Sequence, residues 1–201
     1  MIAIFDYGAG NLQSVKNTLS ALGAPYELIR DADDLRRASK IILPGVGHFG
    51  QMMRALDELR VREALIDRIH ADVPFLGICL GLQALFASSE EAPEERGLGI
   101  YAGEVKRFRG ELRIPHMGWD QVCACRETRL LGQDAKDGSR PHFYFAHSYY
   151  CPIVPATAAT CEYIVPYTAV LEQGNICGVQ FHPEKSGPAG LAVVRNFIEV
   201  C

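Results

Sequence analysis

One cysteine stands between two glycines where the chain changes character, in Gly77-Ile78-Cys79-Leu80-Gly81. The apolar run Pro74-Phe75-Leu76-Gly77-Ile78 reads as a strand, and residues 80–86 read as a helix. A nucleophile flanked by glycines at a strand-to-helix turn is the pattern of a nucleophile elbow, here with a thiol in place of a hydroxyl. The turn is sharp and leaves no room for a Cβ beside the sulfur. Backbone N–H groups at the helix start would favour a thiolate and hold an oxyanion. Taken alone, the pattern fits a buried core cysteine equally well, since cysteine is among the most buried residue types.

A second segment supplies the partners that a nucleophile needs. In Gly178-Val179-Gln180-Phe181-His182-Pro183-Glu184-Lys185-Ser186, His182 and Glu184 are two apart around a proline. Residues at that spacing project to the same side of an extended segment, and Pro183 biases His182 toward extended geometry. An imidazole and a carboxylate presented together are a general base and its orienter. A lone His-x-Glu reads as a surface ion pair. With the elbow in the same chain, Cys79, His182 and Glu184 become a candidate triad.

The elements that must position these groups alternate in the first half. Ile2–Phe5, Tyr26–Ile29 and residues 41–43 read as strands. Between them Leu12, Val15, Leu19 and Leu22 make a helical stripe ended by Gly23, and residues 32–38 read as a short helix. Helices over 50–59 and 62–71 lead to the strand before Cys79. This rhythm predicts a parallel sheet covered on both faces, whose function gathers beyond the C-terminal strand ends. Residues 6–8, the loop Pro44-Gly45-Val46-Gly47 and Cys79 all fall at such ends. Beyond residue 88 the pattern turns to strands over 100–108, 114–125, 143–150, 159–165 and 168–173. The acidic stretch 89–96 and the polar stretch 128–140 read as loops, and Leu191, Val194, Phe197, Ile198 and Cys201 mark a final packing helix. No linker or repeat divides the chain, so residues 1–201 are expected to form one domain.

At 201 residues with 48% hydrophobic and 22% charged content, the chain has the composition of one globular α/β domain. A net charge of −4 gives no basis for nucleic acid or an anionic membrane as partner. The seven cysteines (79, 123, 125, 151, 161, 177 and 201) form no regular framework. With no targeting segment or long apolar run apparent, they point to free thiols in a reducing cytoplasm. Cys123-Ala124-Cys125 lacks the paired spacing of a zinc site, so no metal is expected. His48, His70 and His142 read as surface or capping residues.

The elbow, its continuation Leu80-Gly81-Leu82-Gln83 and the strand end Phe181-His182-Pro183-Glu184 resemble the triad-type, class I glutamine amidotransferases. Four further segments narrow the resemblance: Asp6-Tyr7-Gly8-Ala9-Gly10-Asn11, Leu43-Pro44-Gly45-Val46-Gly47-His48-Phe49-Gly50, Pro115-His116-Met117-Gly118-Trp119 and Phe143-Tyr144-Phe145-Ala146-His147-Ser148-Tyr149. Within the family they are similar to the glutaminase subunits that serve a cyclase in histidine biosynthesis. The likeness runs from residue 2 to the end. It departs at Asp120, where the family pattern leads one to expect Asn.

The resemblance implies a flavodoxin-like sheet, mostly parallel with helices on both faces, followed by a strand-rich C-terminal half. It also implies hydrolysis of glutamine without a cofactor, in a heterodimer with a cyclase of (β/α)₈-barrel fold. One oxyanion donor is expected at the Leu80 N–H. The other is implied in the 44–47 loop, at Val46 or Gly47, with a position that depends on the partner. The family pattern gives Gln83 a substrate contact, with an ordinary helix-surface amide as the alternative. His147, Ser148 and Tyr149 match the segment that binds the α-amino and α-carboxylate groups. Asn11, His116, Met117, Trp119, Tyr144 and Lys185 are expected on the partner surface. The alternative for Trp119, the only tryptophan, is that it fills the core. The glutaminase of pyridoxal 5′-phosphate synthase shares the triad, but the segments 44–50 and 116–119 argue against it. A cysteine peptidase on the same fold would fit Gln83 and Glu184 less well.

Overall fold

Apolar segments of the first half pair in parallel because each is too hydrophobic to face water. The computed structural model describes residues 1–6, 12–29, 31–132 and 139–201. Its first strands are β1 (Ile2–Phe5), β2 (Tyr26–Ile29), β3 (Lys40–Gly45) and β4 (Phe75–Cys79). Later come β5 (Phe86–Ser89), β6 (Tyr101–Arg107), β7 (His116–Gln121), β8 (Cys123–Ala124), β9 (His142–His147) and β10 (Tyr149–Tyr150). The last are β11 (Thr157–Tyr163), β12 (Val165–Gln173) and β13 (Ile176–Val179). The main sheet has the order β2-β1-β3-β4-β13-β12-β11-β8. Strands β2 to β13 in that order run parallel, while β12, β11 and β8 continue it antiparallel.

Side chains alternate across this sheet as the pleat requires. Ala3, Phe5, Ile41 and Leu43 face one core, whereas Ile2, Ile4 and Ile42 face the other. Helices α2 (Ala32–Arg37), α3 (Phe49–Glu58) and α4 (Arg62–His70) contribute Leu35, Met52, Met53, Leu56, Leu65 and Ile69 to the first core. Helices α1 (Leu12–Ala21) and α6 (Gly187–Val200) contribute Val15, Leu19, Val193, Val194 and Phe197 to the second. Both faces are therefore covered, and the expected mostly parallel α/β sheet is present. No helix among the described residues is long and apolar enough to cross a membrane.

The strand-rich half differs from expectation in its divisions. The stretch 114–125 is two strands, β7 and β8, in different sheets, and 143–150 is likewise β9 and β10. β7 pairs with β9 as a two-stranded ribbon, while β10 joins β6 and β5 in a three-stranded sheet. The helix expected over 80–86 is one turn, α5 (Leu80–Gln83), and Phe86 opens β5. The cause lies in the next turn, where the Ala84 carbonyl accepts from the Leu98 N–H at 2.7 Å instead of from a continuing helix.

Candidate active site

Strand β4 ends at Cys79, whose backbone has φ 53° and ψ −105°. This is a left-handed conformation that a non-glycine residue holds at a cost of about 1–3 kcal/mol. The flanking glycines are needed for closeness. A Cβ on Gly81 would lie 1.9 Å from the Leu43 carbonyl oxygen, and one on Gly77 would lie 2.5 Å from the Gly81 oxygen. The elbow is thus pressed directly onto β3. Because α5 is a single turn, the orphan N–H groups around Leu80, rather than a long helix dipole, are what the turn offers an anion.

His182 follows β13 with extended backbone, and its N–H donates to the Tyr144 carbonyl at 2.8 Å. The Ser186 hydroxyl donates to the His182 carbonyl at 2.6 Å and accepts from the Tyr144 N–H at 3.0 Å. These bonds lock His182 to β9. Its Nδ1 lies 2.8 Å from Glu184 Oε1. His182 and Glu184 meet, but not along an extended segment as their spacing predicts. Pro183–Lys185 is a 3₁₀ turn, so Glu184 reaches the ring across a turn rather than along a strand. Both side chains are almost fully buried. Burial opposes a charge on the ring, but the charge on Cys79, its hydrogen bond and the Glu184 carboxylate outweigh burial and raise His182 to about 10. The ring therefore carries its proton at neutral pH, between sulfur and carboxylate.

A cavity of about 260 Å³ opens beside the sulfur. Its lining includes Val46, Gly47, Cys79, Leu80, Gln83, His147, Ser148 and Tyr149, which gathers every residue expected at the oxyanion and substrate positions. Gly47 has φ +111°, which suits glycine, at the mouth of the loop. Gln83 is buried rather than on a helix surface, and its Nε2 donates to the Tyr149 carbonyl at 2.8 Å. His147 is buried, with Nδ1 2.8 Å from the same carbonyl. Burial lowers His147 to about 3, so its ring is neutral and Nδ1 carries the proton that it donates.

The residues expected on the partner surface divide. Met117 and Trp119 alternate outward on β7 and are 61% and 56% exposed, so Trp119 does not fill the core. Trp119 pairs across the ribbon with Tyr144, ring centroids 6.2 Å apart, and Lys185 Nζ lies 5.7 Å over the Tyr144 ring. Met117 also lines the cavity. His116 corrects the expectation, being only 4% exposed and stacked between Tyr163 and Phe145. Asp120 turns to the same inner side, 3.3 Å from His116 Nε2, so the departure at this position touches the ribbon's support rather than its outer face. Asn11 lies outside the described residues. His48 caps α3, accepting from the Gly50 N–H at 3.1 Å.

Sequence reasoning missed three residues at the site. Gln180 is fully buried with Nε2 3.5 Å from the Cys79 sulfur. Ser186 latches β9 to the histidine turn. Glu91 lines the cavity and accepts from the Phe49 N–H at 2.7 Å, so it is fixed against α3. Gln180 carried a signal, an amide inside the apolar run Val179-Gln180-Phe181, because a buried amide must find a partner. Glu91 was hidden by its acidic surroundings.

This fold and site are those of the class I glutamine amidotransferases, and the model of that family matches residues 3–201. The chain belongs to that family. PurLQS from Thermotoga maritima has a component with the same fold, at TM-score 0.76 and 18% identity, covering 98% of this chain and 96% of that one. Sequence relatives narrow the family further. The imidazole glycerol phosphate synthase subunit HisH of Methanothermobacter thermautotrophicus is 46% identical, over 100% of this chain and 98% of that protein. HisH of Thermus thermophilus is 44% identical, over 98% of each. Within the class I enzymes, the chain groups with these HisH subunits.

Proposed function

We propose that this chain hydrolyses L-glutamine to glutamate and ammonia in a cytoplasmic heterodimer. The ammonia passes to a cyclase subunit of barrel fold, which forms imidazole glycerol phosphate and aminoimidazole carboxamide ribotide in histidine biosynthesis. The observation that carries the reading is the strained Cys79 in the cavity lining, backed by the buried His182–Glu184 pair. The near-complete match to the HisH subunits supports the partner and pathway.

In this reading the Cys79 sulfur attacks the side-chain amide carbon of glutamine. The oxyanion forms against the Leu80 N–H and an N–H of the Val46–Gly47 segment. His182, already protonated, gives its proton to the departing ammonia, leaving a glutamyl thioester. The neutral ring then takes a proton from water, which attacks the thioester, and the sulfur leaves as thiolate with glutamate. Glu184 orients the ring throughout, stabilising it while charged and fixing its tautomer while neutral. Gln83 and the 147–149 segment grip the amino-acid end of the substrate. At neutral pH free ammonia is mostly ammonium, so release into water would waste it and delivery to an acceptor is required.

The test is glutamate release by the purified chain with its cyclase and ribotide. Wild type should release glutamate and Cys79→Ala none. The Cys79→Ala complex should still make product when ammonium salt replaces glutamine. Substantial glutamine turnover by Cys79→Ala would remove the nucleophile assignment.

A further inference from the structure

Nothing in the triad chemistry uses Gln180, yet this fully buried side chain reaches the reacting atom. Its Nε2 lies 3.5 Å from the Cys79 Sγ, and its Oε1 lies 3.2 Å from Gln83 Nε2. Which end of the amide faces the sulfur is fixed by the neighbours. Gln83 places one group against both the Tyr149 carbonyl, at 2.8 Å, and Gln180. A backbone carbonyl only accepts, so that group must be the Gln83 NH₂. The Gln180 atom facing an NH₂ must then be its oxygen, which leaves the Gln180 NH₂ for the sulfur. Turning Gln180 over would set two amide donors against each other and a carbonyl oxygen against an anionic sulfur. In a buried site both contacts are costly. The chain of orientation thus runs from a main-chain carbonyl through two glutamines to Cys79.

We propose that Gln180 is a further catalytic residue, a fixed N–H donor to the Cys79 sulfur that favours the thiolate and aims it at the substrate amide. The inference rests on reading Cys79 as the nucleophile. It adds something that His182 cannot supply. His182 gives its proton to ammonia during the first half of the reaction, whereas an amide N–H is never transferred. The same donor therefore stays beside the sulfur through the interval in which the ring is neutral, from ammonia departure until water is deprotonated. The other titratable groups whose charge couples to Cys79 are His182, Cys151 and Tyr167. Burial pushes Cys151 and Tyr167 well up, so both stay neutral, and the Tyr167 hydroxyl is engaged with His116 Nδ1 at 3.2 Å.

The experiment follows alkylation of the Cys79 peptide by iodoacetamide against pH, resolved by mass spectrometry, in wild type and Gln180→Met. Methionine keeps the length of the side chain and removes the donor. Glutamine turnover in the cyclase complex is measured in parallel. The alkylation midpoint should rise by about one pH unit, as loss of a hydrogen bond to a charged group requires. The kcat should fall about tenfold or more with KM within about twofold. If Gln180→Met does not fold by circular dichroism, Gln180→Asn, whose shorter arm withdraws the donor, decides in its place. An unchanged Cys79 midpoint in the folded variant overturns the proposal. Failure of wild type to turn over glutamine would instead sink the functional reading, and the midpoint shift would still judge the sulfur–amide contact.

Discussion

Cys79 is held in a backbone conformation that glycine adopts freely and cysteine does not. An alanine-to-glycine change in regular structure normally destabilises by about 0.5–1 kcal/mol. At this position the sign should reverse, because glycine relieves the left-handed strain and alanine retains it. Cys79→Gly should therefore melt at or above the temperature of Cys79→Ala, with both inactive, in a calorimetric comparison. A markedly lower melting point for Cys79→Gly would mean that the elbow stores no strain. The triad residues were legible because each is unusual in its place, a thiol between glycines and a His-Pro-Glu run, whereas the amide of Gln180 in its apolar run was passed over. The backbone angle at Cys79 was legible only as a consequence of the glycines around it. The 3₁₀ turn that brings Glu184 to His182 was not, since the same two-residue spacing is satisfied by a strand.

Among the elements, the loop after β3 joins sequence to control. Gly45 packs against Leu80 and Gly81, where a Cβ would meet both within 2.8 Å, so this side of the loop is fixed to the elbow. At Gly47, by contrast, a Cβ would have nothing within 4 Å, and the glycine can reorient the peptide that joins it to Val46. One side of the loop is packed onto the elbow while Gly47 sits at positive φ with open space beside it, a geometry suited to an oxyanion donor that swings into place when a partner docks. An absent donor costs about 10²–10³ in rate. Cyclase with its ribotide should accordingly raise glutamine turnover mainly through kcat. Gly47→Ala, which takes away the glycine's freedom to reorient that peptide, should blunt that rise while the complex still assembles. Equal kcat with and without partner and ligand would defeat the gate. The parallel first half was readable because hydrophobic period and glycine punctuation agree there. The second half misled at two of its expected strands, 114–125 and 143–150, each of which is divided once. Hydrophobic alternation continues smoothly across Val122 and across Ser148, while the tertiary pairing changes sheet at those points. The shortness of α5 depends on Leu98, fourteen residues away from Ala84, which no local pattern reports.

At the scale of the whole molecule, buried ionisable groups set the response to acid. His147 is held neutral with its value lowered to about 3, against about 6.5 in an unfolded chain. As pH falls below about 6.5 the unfolded chain takes up a proton that the folded chain refuses, so stability declines. Glu172 acts in the same direction. Despite burial, its hydrogen bonds to Arg129 and Thr128 lower it, and that stabilisation disappears as the carboxylate protonates. Urea midpoints should fall steadily from about pH 6.5 toward about pH 4. His147→Asn, which keeps a donor for the Tyr149 carbonyl, should flatten the upper part of that slope even if the protein is less stable throughout. An unchanged slope would remove His147 as its source.

The outer face of the β7–β9 ribbon is where the molecule is expected to meet its cyclase. Met117 and Trp119 are large apolar side chains left exposed side by side, and a patch of this kind marks an interaction surface more often than chance exposure. Tyr144 and Lys185 extend it through the edge-on ring contact and the cation over the ring. Met117 also lines the cavity, so the patch is continuous with the site from which ammonia must leave. The inner face of the same ribbon holds His116, Phe143 and Phe145 in the core, which keeps the outer face in register. Trp119→Ala should therefore change the melting temperature little, because the side chain it removes is mostly in water. It should weaken cyclase binding by about 2 kcal/mol or more, as loss of an aromatic anchor does. Since Trp119 is the only tryptophan, its fluorescence reports the event directly. Emission should shift to shorter wavelength as cyclase is titrated in, and an emission spectrum indifferent to cyclase would place the partner elsewhere on the molecule.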